Sequence, residues 1–288
     1  MGLWGAEGLG WAELARKLYL RIVFAYYTHD LSPFLIQLGS GWGIRYYGMA
    51  YVVGFLAWFY GLRWFRKLGW SSLSDEQISE LLFYTVLGVL VGGRLGYCLL
   101  YDWAETIRNP VSIIAFWNGG IRGMASHGGI LGALIGFLLW ARKNRVDGWA
   151  VADNAAVIAP VGIFLGRIAN FINGELWGRV TNVPWAVIFS EAGAEPRHPS
   201  QIYEALGEGL FLGLAMGWIR SRGLKPTGQV ISAFFLIYGI VRIGLEFFRE
   251  PDAGDPLWAG LSRGQWFSVG LGIVGFGLWV WRRRRKSG

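Results

Sequence analysis

Seven apolar stretches, each close to twenty residues long, constrain this chain more than any other feature of its sequence. They run over about 44–62, 81–101, 123–141, 150–172, 201–219, 228–248 and 264–281. A helix needs roughly 20 residues to cross the ~30 Å hydrocarbon core of a bilayer. The pattern therefore predicts an all-α integral membrane fold with seven transmembrane helices. The fourth stretch is the most interrupted, by Asp153 and Asn154 at its start and Pro160 in its middle. Composition agrees: 53% of residues are hydrophobic and 16% charged, too little polar surface to cover a soluble domain of 288 residues. The single Cys98 leaves no internal disulfide and no CxxC motif. His29, His127 and His198 lack the i, i+3 or i+4 spacing of a ligand pair, so neither a metal site nor a cofactor is expected.

Charge placement sets the expected orientation. Arg63, Arg66 and Lys67 follow the first span, Arg142, Lys143 and Arg145 the third, Arg220, Arg222 and Lys225 the fifth, and the run Arg282 to Lys286 the seventh. These make 14 of the 27 basic residues. The alternate loops mix single cations such as Arg108 and Arg263 with Asp102, Glu105, Glu191, Glu195, Asp252 and Asp255. By the positive-inside rule the N-terminus lies outside and the C-terminus in the cytoplasm. The net charge of +8 thus has a topological origin, and no nucleic-acid partner is expected. Residues 1–43 read as an outer interfacial arm, with an amphipathic helix over 11–28 and no signal peptide evident. Residues 44–288 read as the seven-helix catalytic domain, with a small outer head region at about 174–200.

Two residue classes inside the spans stand out. Gly88, Gly92 and Gly96 repeat every fourth residue, as do Gly128, Gly132 and Gly136, and Gly209, Gly213 and Gly217. Such spacing lets helix backbones approach closely in lipid, and a packed bundle explains it fully. Ionisable residues are harder to dismiss, because charge inside a bilayer is costly and usually functional. They are Arg94, Arg167, Glu204, Glu208, Arg242 and Glu246. Tyr238, Arg242, Glu246 and Arg249 are spaced to share one helix face. The plainer reading is that Arg242 and Glu246 only neutralise each other as an i, i+4 pair.

The most informative run is GRIANFINGELWGR, Gly166 to Arg179, where the fourth span meets the outer loop. On a helix Arg167, Asn170 and Gly174 would share one face. A guanidinium beside carboxamides suits an anionic oxygen group, since its planar donor fork matches phosphate. This run resembles the signature of the prolipoprotein diacylglyceryl transferases. Further segments agree in order and spacing: Arg45-Tyr46-Tyr47-Gly48, Gly92-Gly93-Arg94-Leu95-Gly96-Tyr97, Ser126-His127-Gly128-Gly129, Arg197-His198-Pro199-Ser200-Gln201-Ile202-Tyr203-Glu204, and the stretch from Tyr238 to Asp252. The resemblance covers about residue 40 to the C-terminus. Ala169 stands where the signature often has Gly, and the loop 180–196 is shorter than in some members.

The resemblance implies transfer of the diacylglyceryl group of phosphatidylglycerol to the lipobox Cys thiol of a preprolipoprotein signal peptide, releasing glycerol 1-phosphate. It also implies a bacterial inner-membrane enzyme with its site toward the outer leaflet. Arg167, Arg242 and His127 are then the catalytic candidates, the arginines holding phosphate and His127 activating the thiol or positioning the headgroup. Asn170, Tyr47, Glu175, Tyr238, Glu246 and Arg249 would line the lipid headgroup. Gly174, Gly178 and Arg94 would be structural at the site. For Glu204 and Glu208 a role as packing partners of arginines on neighbouring helices competes equally with a functional one, and His198 is read as a loop hydrogen-bonder. Two other classes fit the sequence less well. An ion-coupled transporter predicts inverted repeats, which the sequence lacks. A purely structural bundle would have no need of the Gly166–Arg179 run.

Overall fold

The computed structural model describes residues 26–39, 42–114, 123–224, 226–251 and 258–284. Its helices are α1 (Tyr46–Lys67), α2 (Asp75–Leu100), α3 (Trp103–Arg108), α4 (Ser126–Asn144), α5 (Gly148–Asn173), α6 (Ser200–Ser221), α7 (Gln229–Glu246) and α8 (Arg263–Arg284). All but the short α3 coincide with the seven apolar stretches. Four of them, α2, α5, α6 and α7, are long and apolar enough to cross a membrane. Trp, Tyr, Gly and terminal cations dilute the hydropathy of α1, α4 and α8.

The all-α expectation needs one correction. Five short strands are present: β1 (Tyr27–His29), β2 (Phe34–Gly39), β3 (Trp42–Arg45), β4 (Val187–Phe189) and β5 (Pro196–Arg197). β2 and β3 form an antiparallel hairpin, while β4 lies between β1 (parallel) and β5 (antiparallel). The alternation of buried Val187 and Phe189 with half-buried Ile188 is the period-2 pattern that a strand of three residues is too short to advertise in sequence. Strand β1 also shows that residues 27 and 28 are extended, not the end of a helix. Tyr26 is irregular, and residues 11–25 of the expected amphipathic helix lie outside the described residues.

The chain forms two compact units. One comprises Tyr51–Gly162, Leu212–Ile237 and Ile273–Gly288. Here α2 begins with a reciprocal cap: Gln77 N–H donates to Ser74 Oγ and Ser74 N–H to Gln77 Oε1. The two glycine stripes face each other. A Cβ on Gly88 or Gly92 would overlap the carbonyls of Gly132 or Gly128, and a Cβ on Gly136 that of Tyr84. Glycine is therefore what lets α2 and α4 pack backbone to backbone. Leu62, Phe65, Leu73, Ile78, Leu81, Trp140, Val151 and Ile158 form the apolar core.

The residues that interrupt the fourth stretch have partners in this unit. Asp153 is buried and accepts from Gly228 N–H (2.7 Å) and Ile231 N–H (2.9 Å), satisfying orphan donors at the start of α7. Asn154 donates to the Trp70 carbonyl and accepts from Arg220 Nε. Pro160 sits inside an α5 that continues past it. The polar interruptions are thus tertiary ties between elements, which is why they do not end the helix.

Candidate active site

The second unit comprises the described residues of Met1–Ala50 together with Ile163–Phe211 and Tyr238–Gly272. Most of the candidate residues fall in it. The Gly166–Arg179 run is built by the end of α5. Gly174 adopts φ +68°, its N–H donates to Phe171 O, and Glu175 N–H donates to Asn170 O. This is a Schellman cap, which favours glycine because the left-handed conformation is strained for other residues. The helix therefore ends at Asn173, so Gly174 does not share a helical face with Arg167 and Asn170 as the spacing predicted.

Glu175 folds back over that cap. Its Oε1 accepts from Asn170 Nδ2 (2.8 Å) and Asn173 Nδ2 (3.2 Å). The first turn of α6 holds the loop from the other side: Gln201 Nε2 donates to Glu175 O and Ser200 Oγ to Leu176 O. Beyond it, Arg179 N–H donates to Phe248 O and Glu250 N–H to Trp177 O, tying the run to the exit of α7. A Cβ on Gly178 would lie 2.5 Å from His198 O and 2.6 Å from Phe248 O, so only glycine fits there. The signature run is a clasp joining the end of α5, the start of α6 and the exit of α7.

Beside this clasp lies a buried network of three guanidinium and three carboxylate groups. Arg167 on α5 donates through Nε (3.2 Å) and Nη2 (2.9 Å) to Glu208 Oε2, and its Nη1 lies 2.9 Å from Glu204 Oε2. Arg242 on α7 donates through Nη1 to Glu204 Oε1, lies 3.4 Å from Glu208 Oε1, and pairs with Glu246 through Nη2 at 2.6 Å. Arg249 Nη1 reaches to 3.9 Å from Glu204 Oε1. The carboxylates of Glu204 and Glu208 are wholly buried, while Arg167 keeps 17% of its side chain exposed. Glu246 accepts from Ser262 Oγ (2.8 Å), itself the cap of α8, so a helix N-terminus also faces that carboxylate. Formal charges cancel, as buried ions require.

Backbone geometry makes this convergence possible. Within α6, Ala205–Phe211 winds as a π-helix, a form often found at functional sites. Gly207 lets it press on Leu245 and Val241 of α7, and Gly209 on Phe164 of α5. Glu204 and Glu208 are thereby brought between the two arginine-bearing helices. Glu204 uses one oxygen for each of Arg167 and Arg242, which are 75 residues apart in sequence.

The candidate residues therefore sort into groups. Arg167, Arg242, Glu246 and Arg249 come together, with Tyr238 within electrostatic reach of Arg167, Arg242 and Glu208. Arg242 and Glu246 do form the i, i+4 pair of the plainer reading, but Arg242 has a second set of partners. Arg249 lies beyond the end of α7 rather than on its face. Asn170 and Glu175 bind each other and support the clasp. Tyr47 is half-buried in the first turn of α1. His198 sits in the loop before Pro199, where burial lowers its pKa. The Tyr203 hydroxyl accepts from Trp185 Nε1 and lies 3.1 Å from His198 Nδ1, so it is free to donate to a neutral ring.

His127 and Arg94 belong to the first unit. His127 is exposed in the opening turn of α4. Arg94 donates to the carbonyls of Ile113, Ser112 and Gly123 and so stitches the connection between α3 and α4. Ser262 carries no signal in the sequence that marks it for the site, while Ser200 and Gln201 stand out only as members of the Arg197–Glu204 segment. Glu204 and Glu208 do carry one: carboxylates inside an apolar stretch, with no cation on the same stretch, demand partners from elsewhere.

Comparison with known proteins gives a consistent result. A family model described as prolipoprotein diacylglyceryl transferase matches residues 33–281. The phosphatidylglycerol–prolipoprotein diacylglyceryl transferase of Polynucleobacter asymbioticus is 44% identical over 265 residues, covering 90% of this chain and 97% of the relative. That of Coxiella burnetii is 42% identical over 270 residues, with 91% and 99% covered. That of Rhizobium meliloti is 40% identical over 268 residues, with 90% and 94% covered.

Proposed function

Because the chain belongs to the prolipoprotein diacylglyceryl transferase family, we propose that its buried Arg–Glu network binds the phosphate of phosphatidylglycerol while the diacylglyceryl group moves to a prolipoprotein thiol. Membership makes the chain a transferase of lipoprotein biosynthesis. The observation that carries the site assignment is Glu204, which holds Arg167 and Arg242 side by side in a buried setting. Fixed cations in such a setting stabilise charge that develops in a transition state, often the largest single contribution to catalysis.

In the proposed step the sulfur of the lipobox Cys attacks the glyceryl carbon that carries the phosphate. The C–S bond forms and the C–O bond breaks. Its electron pair leaves on the phosphate oxygen as glycerol 1-phosphate, where Arg167 and Arg242 meet the growing charge. A thiol with pKa near 8.5 attacks as the thiolate, so the step needs a base to take its proton. Tyr47, Tyr238 and Arg249 are proposed to contact the headgroup, and the Asn170–Glu175 clasp to keep the Arg167 end of α5 in place.

The proposal includes seven spans, with the N-terminus outside, the C-terminus in the cytoplasm, and the site toward the outer leaflet of a bacterial inner membrane. Helices on all seven apolar stretches and the alternation of basic loops support it. The test is incubation of the purified protein with phosphatidylglycerol and a peptide bearing a lipobox Cys. Glycerol phosphate and thioether peptide should appear in equal amounts, and a Ser-for-Cys peptide should give neither. Release that ignores the thiol would contradict the reading.

A further inference from the structure

Each of the three nitrogens of Arg167 already faces a carboxylate, although the proposed reaction asks this guanidinium to receive a phosphate. Glu208 holds the Nε and Nη2 edge, the side a bidentate oxyanion uses, and it does so with one oxygen, Oε2. Its other oxygen is only loosely engaged, 3.4 Å from Arg242 and without a hydrogen bond. Glu204 instead gives a separate oxygen to each arginine, Oε2 to Arg167 and Oε1 to Arg242. The network is neutral before any anion arrives, so a phosphate adds one uncompensated negative charge to a buried site. Glu208 is the carboxylate that occupies this edge, and it sits on the π-helical turn, where the regular i→i+4 backbone bonds are interrupted.

We propose that Glu208 is an exchangeable counter-ion of Arg167, an internal competitor that yields the Nε and Nη2 edge to the lipid phosphate and returns to expel the product. This rests on the assignment of Arg167 to the phosphate. Release is where the return matters most, because glycerol 1-phosphate is a monoester of nearly two negative charges, against one on the diester substrate. Without a competing carboxylate the product would hold the guanidinium longer. Glu208 acts through Arg167 and touches no reacting atom, so it is a positioning residue with a kinetic signature of its own.

The test is Glu208→Gln, which keeps the shape and an accepting oxygen but removes the competing charge. KM for phosphatidylglycerol should fall roughly fivefold, the difference between a charge-assisted and a neutral hydrogen bond. Inhibition by added glycerol 1-phosphate should strengthen by a similar factor, and kcat should drop as release slows. A merely structural Glu208 would instead lower kcat with KM and product inhibition unchanged or weakened, and that outcome overturns the proposal. Should the Gln variant fail to fold, Glu208→Asp decides. Its charge remains but its reach is shorter, so KM should fall by a smaller factor, and an unchanged or raised KM counts against the idea. An inactive wild type overturns the phosphate reading as well, whereas an active wild type with no KM shift in the variants overturns the counter-ion role alone.

Discussion

Replacing Arg167 perturbs two things at once, and the structure separates them. Arg167→Ala strips Glu208 Oε2 of both its hydrogen bonds and Glu204 Oε2 of its ion pair, leaving two wholly buried carboxylates to Arg242. Removing one partner of a buried ion pair costs about 3–5 kcal/mol, so the Ala variant should unfold at a clearly lower temperature. It should also lose the cation that meets the leaving phosphate. Loss of one oxyanion donor lowers kcat by about 10²–10³, or ~2.7–4 kcal/mol of barrier. Arg167→Lys separates the contributions. An ammonium keeps the charge, so stability should recover in part, but it cannot span Glu204 and the phosphate as a planar fork does. Turnover should therefore stay at least about tenfold down, the equivalent of ~1.4 kcal/mol of barrier. Glycerol phosphate release and thermal unfolding, measured in one detergent, read both effects. A folded Lys or Ala variant with near-normal turnover would refute the assignment and leave Arg242 as the phosphate ligand.

Gly132→Ala should destabilise the protein by about 1–3 kcal/mol, since its Cβ would meet the Gly88 backbone across a helix pair that cannot give. Gly217→Ala, with open space at the same spacing, should be nearly silent in the same unfolding assay. Cys98→Ser should leave glycerol phosphate release intact, because the buried Cys98 thiol is not the nucleophile. Complete loss in a folded variant would reveal a covalent enzyme intermediate. His198 is held below its ordinary pKa of 6.5 by burial, so the folded state resists its protonation. Its contribution to stability is complete above that value and is lost as pH falls below it. His198→Gln should flatten the pH dependence of unfolding between about pH 7 and 5, and an unchanged profile would exclude the effect.

The seven helices were legible because apolar runs of span length leave few alternatives, and the glycine stripes announced close helix packing, though not that α2 and α4 form the pair. The head strands were not legible. Three-residue strands such as Val187–Phe189 give too few alternations to stand out, and β1 is fixed by a partner 160 residues away. Arg167 and Arg242 were visible as charges that a bilayer does not tolerate without purpose. The partners were harder. Spacing shows Arg242 beside Glu246, but it cannot show that a π-helical turn carries Glu208 to Arg167 from another helix. For the same reason Gly174 was misplaced on a helical face: its left-handed cap depends on the backbone conformation, which periodicity alone does not reveal.

The central claim is that Arg167 and Arg242 form the phosphate site, and a ligand that needs no turnover tests it most directly. Glycerol 1-phosphate should raise the unfolding temperature of the wild type, following RT ln(1 + [L]/Kd) as its concentration increases. Arg242→Lys, which keeps the charge but loses the fork shared between Glu204 and Glu246, should show little or none of that rise. An equal rise in both proteins would place the phosphate elsewhere and contradict the account.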